Sequence, residues 1–339
     1  MRQGRKLSCV SLRPSNLAAR PACAARLQKA LLPIPPERKP ADTQAILLML
    51  LLSAMWGFNQ VAVKLAAPGI SLVMQACLRS AIAAVLLFAY ARLRGIALFD
   101  RDETLLPGLA AGALFAAEFA FIHAGLNHTS AARMVVFVYM APLVTALGLA
   151  LFIPGERLRL WQWAGILIAF AGIVTAFSEG LAATSGNAWK GDLMGMIGAL
   201  LWALTTIVIR TTALSNARPA KTLFYQLAFA GATLPAVSIA LGETGITHLQ
   251  PVVLASILYQ GVLVAFASYL TWFWLLTRYW AAQLSAFSFL TPLFGVAFGV
   301  LILGDQVSTT FVAAALLVGA GIALVNLPAR NAVADGSIP

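Results

Sequence analysis

The chain has 339 residues, of which 60% are hydrophobic and only 10% are Asp, Glu, Lys or Arg, whereas soluble proteins carry about 25% charged residues. With a mean hydropathy of +0.86 and apolar runs along nearly its whole length, it is neither a soluble domain, a disordered chain nor a disulfide scaffold. The net charge of +11 is first to be tested against membrane topology, because Lys and Arg gather in cytoplasmic loops.

Residues 1–44 hold nine basic residues and are interrupted by Pro14, Pro21, Pro33, Pro35, Pro36 and Pro40. This composition predicts a basic, disordered cytoplasmic tail. An organelle transit peptide shares the Arg-rich, acid-poor bias, but a secretory signal would need an apolar core that is missing before residue 45. Beyond the tail come ten runs of about 20 apolar residues, each long enough to cross the hydrocarbon core. They cover roughly 45–65, 71–91, 105–126, 131–153, 161–178, 192–210, 222–241, 252–276, 281–303 and 311–327. The runs are continuous rather than alternating, so the fold class is an all-α membrane protein with ten transmembrane helices and not a barrel. The short loops predict that consecutive helices pack side by side, antiparallel. With the amino terminus inside, nineteen of the 23 basic residues fall on the cytoplasmic side, against Lys64, Arg133 and Lys190 opposite and Arg79 within a span. Both termini are thereby placed in the cytoplasm of a cell membrane, and the basic balance needs no nucleic acid. Cys9, Cys23 and Cys77 are too few and scattered for a disulfide framework or a metal site.

The sequence repeats at a separation of about 150 residues. SAMWGFNQVAVK at 53–64 matches ALLWALTTIVIR at 199–210, aligning Trp56 with Trp202 and Lys64 with Arg210. MAPLVTALGLALFIPGE at 140–156 matches LTPLFGVAFGVLILGD at 290–305, pairing Pro142 with Pro292 and Gly155-Glu156 with Gly304-Asp305. Two units follow, 45–178 and 191–327, each of five spans. An odd number of spans inverts the second unit relative to the first, a construction common in secondary transporters with a midplane site between the halves.

Trp56, Arg79, AGLNHTSAARMVVFVYMAPL at 124–143 and PGERLRLWQWAGILIAFAGI at 154–173 resemble the drug/metabolite transporter superfamily, and specifically its EamA-type members with two EamA repeats. The resemblance covers about residues 45–327. It implies a transporter of amino acids or other small metabolites, mostly outward across the bacterial inner membrane, while other branches move sugars, nucleotide sugars or cationic drugs. An arginine at the place of Arg79 recurs in the family, where a structural role and substrate contact both fit; Glu118 is not part of its general motif.

Ionisable groups inside a membrane are functional candidates by default. Arg79 and Glu118 lie well inside the second and third spans, roughly 13 and 12 Å from the outer ends at 1.5 Å per residue. They are candidates for binding a substrate carboxylate and ammonium, and Glu118 also for carrying a proton; a fixed ion pair between the two helices is the alternative. Trp56, Asn59, Gln60, Tyr139, Trp202, Ser268 and Tyr269 are candidates for the cavity wall, or for helix contacts alone. His123, on another face from Glu118, reads as a satisfied interfacial histidine, with a proton relay as the alternative. Pro142 and Pro292 sit inside spans and must kink them, as cavity-lining hinges or as static bends. Glu156 and Asp305 at equivalent turns need only fix loops. HExxH, GxSxG, a Cys/His dyad and a P-loop do not occur, so neither an enzyme nor a self-contained pump is expected, and no cofactor or metal is called for. The reading is a secondary transporter exporting an amino-acid-like metabolite by alternating access, with proton coupling suggested by Glu118. A passive facilitator or a drug/cation exporter of the same fold stays open, as does a homodimer beside a monomer.

Overall fold

The structure is a computed structural model describing residues 38–100, 102–153, 158–182, 186, 188–304 and 310–327. Residues 1–37 of the tail lie outside these, as do Arg101, Gly155, Glu156, Arg157, Asp305 and Arg330. The described residues form ten apolar helical rods: α1 (Thr43–Ala66), α2 (Leu72–Leu93), α3 (Leu105–Leu126), α4 (Ala131–Phe152), α5 (Leu160–Ala176), α6 (Ala188–Thr211), α7 (Pro219–Ala240), α8 (Pro251–Arg278), α9 (Ala281–Leu303) and α10 (Phe311–Asn326). Eight are long and apolar enough to cross a membrane; α5 and α10, repeat equivalents, are shorter.

Local chemistry fixes where the rods begin. Asp42 caps α1 by accepting from the Ala45 amide at 3.0 Å, and Pro219 and Pro251 stand at the starts of α7 and α8, where the missing N–H costs nothing. Two rods are interrupted. In α4 the helix breaks at Tyr139–Met140, and in α9 at Ser288–Phe289, in both cases just before the repeat-related Pro142 and Pro292. The proline ring supplies no donor and crowds the carbonyl four residues back. α8 stays continuous but runs through a π-helical stretch, Tyr259–Ser268, a rare geometry that is frequent at functional sites.

The packing departs from the side-by-side expectation. Helices consecutive in sequence touch only slightly; the extensive contacts are α5 with α10, α3 with α6, α7 with α2 and α3, α9 with α1, α4 with α6, and α8 with α1 and α2. Exchanging every helix with the one five places along maps this set onto itself, as a two-fold relation between inverted repeats requires. Backbone-on-backbone seams explain the preference for the other repeat. A Cβ on Gly57 of α1 would stand 2.4 Å from Phe294 Cβ of α9. On Gly165 of α5 it would stand 2.7 Å from the Gly321 carbonyl of α10, and on Gly321 it would stand 2.4 Å from that of Gly165. Small residues permit such approaches where lipid offers no hydrophobic drive between helices.

Hydrogen bonds at the two ends show the inversion directly. At the end where α1 begins, residues 38–42 are not free tail but are tied down: the Lys39 amide donates to Arg278 O (3.0 Å), that of Trp280 to Lys39 O (3.2 Å), and Arg38 Nη2 to Ser215 O (3.1 Å). Lys221 and Asp102 pair at the same end (2.6 Å). α6, the first rod of the second repeat, begins at the opposite end, where Asp192 accepts from Thr129 (3.0 Å) and Arg133 Nε (3.1 Å). There too Glu243 accepts from Ser71 (2.9 Å) and the Val73 amide (3.1 Å).

Candidate functional site

Between the repeats lies a cavity of about 330 Å³, within the range of small-molecule pockets. Its wall takes residues from α1, α2, α3 and α4 of the first repeat and α6, α7, α8 and α9 of the second, so neither half could form it alone. Trp56, Asn59, Gln60, Arg79, Glu118, Tyr139, Trp202 and Tyr269 all stand on that wall. Ser268 does not: it lies one layer behind, accepting from Trp56 Nε1 at 2.9 Å while donating to Val264 O at 2.6 Å. Its hydroxyl is consumed in setting the angle of an indole that does face the cavity. Pro142 and Pro292 are likewise off the wall, but the breaks they cause bring Tyr139 and Ser288 onto it.

The aromatic surface is held edge to face. Trp56 packs against Tyr269 (centroids 6.3 Å apart) and Trp272 (5.8 Å), and Tyr139 against Trp202 (6.0 Å), the geometry that the ring quadrupoles favour. Into this apolar wall the chain sets buried polar groups. Arg79 is 6% exposed and Glu118 8%. The guanidinium lies over the Phe119 ring, 4.4 Å from its centroid, a cation–π contact that offsets part of its burial, and its Nη2 has no hydrogen-bond partner. Among the described residues, no ion pair within 4.0 Å joins Arg79 to Glu118, so the two are not locked together. Asn59 Oδ1 and Gln226 Nε2 are also buried without partners. A buried donor or acceptor left unpaired costs about 1–3 kcal/mol, and these three belong to residues on one cavity wall.

Several wall residues escaped the reading of the sequence. His123 joins Glu118 on the wall, its Nδ1 2.6 Å from Phe119 O; a five-residue offset turns it to another face of α3, but the cavity is broad enough to reach both. Gln75 and Gln260 line it as a bonded pair, Gln260 Nε2 donating to Gln75 Oε1 at 2.9 Å. Gln226 and Phe119 complete the surroundings of the polar groups. A neutral amide in an apolar span gives little signal by itself; only its register in the repeat could have singled out Gln226.

The EamA-like transporter family matches the chain twice, over residues 43–178 and 189–327. A probable amino-acid metabolite efflux pump of Escherichia coli is 27% identical over 304 residues, spanning 86% of this chain and 98% of that protein. A WAT1-related chloroplastic protein of Arabidopsis thaliana is 27% identical over 296 residues, spanning 81% of this chain and 68% of its own length. In fold the chain is similar to a crystal structure at a TM-score of 0.71, with 19% identity, over 84% of this chain and 96% of that one. With both five-helix units matched, the chain belongs to the EamA-like transporter family and is a multi-pass membrane transporter built from two EamA repeats.

Proposed function

We propose that the protein exports amino acids or related small metabolites by alternating access, the cavity between the repeats being the substrate site. The observation that carries this reading is a pair of buried, oppositely ionisable groups on one wall, Arg79 and Glu118, not tied to each other. A zwitterion offers each its complement: the guanidinium donates to the carboxylate, with charge-assisted strength, while Glu118 accepts from the ammonium. The aromatic wall takes an apolar side chain. The name of the Escherichia coli relative supports the same substrate class. Both termini face the cytoplasm of the cell membrane, as the basic residues direct, and the breaks at Pro142 and Pro292 act as hinges between the outward-open and inward-open arrangements.

Proton coupling follows from competition for one carboxylate. A proton arriving from outside neutralises Glu118 and removes the counter-charge of the ammonium, so substrate leaves; loss of that proton inside restores the site. Substrate and proton exclude each other, which is the condition for exchange. The test places an equimolar mixture of the twenty protein amino acids at equal concentration inside and outside proteoliposomes, for uphill flux, or inside alone, for downhill flux, and follows each by mass spectrometry. Wild type is expected to move a subset against its gradient when the pH gradient runs inward, and Glu118→Gln to keep downhill flux of that subset without pH dependence. Uphill flux in Glu118→Gln that follows the pH gradient as in wild type removes the coupling; purely downhill flux in wild type identifies a facilitator.

A further inference from the structure

The helix boundaries put Arg79 and Gln226 in register: each is the eighth residue of the second helix of its repeat, α2 beginning at Leu72 and α7 at Pro219. Both line the cavity, both are more than nine-tenths buried, at 6% and 1% exposure, and each carries a nitrogen donor without a partner, Nη2 and Nε2. α2 and α7 run in opposite directions and touch where Gly231 meets Ala81, the Cβ position of the glycine being 3.2 Å from the Ala81 amide nitrogen. Counting from that contact at 1.5 Å per residue, the backbone positions of the two residues stand on levels roughly 10 Å apart. Arg79 is nearer the outer end and Gln226 nearer the end where α1 begins. A carboxylate is too small to meet both at once.

We propose that Gln226 is the substrate contact of the cytoplasmic half of the pathway, the neutral, inverted counterpart of Arg79, taking the substrate's carboxylate before Arg79 does. The inference deepens the transport reading and rests on it. An unpaired buried N–H is costly, and the chain keeps one at each of two positions that the inverted repeat makes equivalent. In alternating access each half of the site faces one compartment, so a donor in each half gives the carboxylate a partner on either side. The inner donor being neutral makes the entry side the weaker of the two, since a hydrogen bond from an amide is about half as strong as one from a guanidinium. An acceptor on the substrate is required; a purely cationic drug has no use for either group.

The test separates the faces. Membrane vesicles of both orientations are prepared from cells producing wild type, Gln226→Met, Gln226→Asn or Arg79→Gln, and exchange of the twenty-amino-acid mixture is measured on each. Gln226→Met keeps the length of the side chain and removes the donor. It is expected to raise KM about tenfold in inside-out vesicles and less than twofold in right-side-out ones, with Arg79→Gln showing the opposite bias. Gln226→Asn, one methylene shorter, is expected to fall between Gln226→Met and wild type and supplies the reading should Gln226→Met not accumulate. An unchanged KM on the inner face, or an equal rise on both faces, overturns the assignment while leaving the transport reading intact. Wild-type vesicles that exchange none of the twenty overturn both.

Discussion

Lys221 enters the edge of the bilayer with its side chain only 6% exposed, a place where a lone ammonium would cost several kcal/mol. Asp102 answers it from the loop between α2 and α3, 2.6 Å away, while also accepting from the Thr104 amide at 3.1 Å. The hydrogen bond from Lys221, and after it that from the Thr104 hydroxyl, hold the Asp102 carboxyl at about 2, below its ordinary value. A depressed carboxylate contributes stability that is complete above its unfolded pKa near 4 and drains as pH falls towards the folded value. The melting temperature in detergent is therefore expected to be insensitive to this pair between pH 5 and 8 and to decline below about 4. Asp102→Asn should lower it at pH 7 and shallow the acid limb, read by tryptophan fluorescence. An acid limb of unchanged depth in the variant would assign the acid sensitivity elsewhere, for instance to Asp42, which Lys39 holds at about 2. Arg79, Glu118 and the aromatic residues were legible singly because a charge or an indole stands out in an apolar run. Gln226 was not, since an amide there is unremarkable until its register is known.

The ten spans were legible as elements because a membrane demands length and apolarity, and each observed helix begins or ends within a few residues of its run. The breaks in α4 and α9 were legible from Pro142 and Pro292, because the clash of the ring with the carbonyl four residues back is a local effect. Which rod packs on which was not, since these helices are apolar all round and hydropathy says nothing about the face each one buries. The decisive contacts are made by glycines, and in a chain with 26 of them spacing alone distinguishes few. The seam of α5 and α10 gives a sharp test. A side chain at Gly165 meets the Gly321 carbonyl, backbone that cannot swing away. Gly165→Val is expected to cost about 1–3 kcal/mol through overpacking. Gly319→Ala on the same α10, where a Cβ would meet nothing within 4 Å, should be neutral or stabilise by about 0.4–1 kcal/mol through the unfolded chain. Equal melting temperatures for the two variants would contradict the close seam.

Across the molecule, the repeat at about 150 residues carried the fold: an odd number of spans per unit inverts the second, and the end-specific hydrogen bonds agree. Sidedness can be checked with single cysteines in a chain whose Cys9 and Cys23 are serine, Cys77 being buried. Ser215→Cys, beside Arg38, should react with a membrane-impermeant maleimide only in inside-out vesicles. His248→Cys, whose amide approaches Gly69 O at 3.3 Å, should react only in right-side-out ones; labelling of both from one face would mean that α7, the one rod between them, does not cross. The interleaving of the halves has a consequence for biogenesis. When α1 to α5 leave the ribosome, the partners of Gly57, Gly112 and Gly165 have yet to be translated, and the contacts available between neighbours in the chain are slight. The early half must wait in the bilayer with its seams filled by acyl chains, which later rods displace as they arrive. A nascent chain arrested after residue 178 would thus be a set of loosely associated spans, open to capture by a membrane insertase or a quality-control protease until translation is complete.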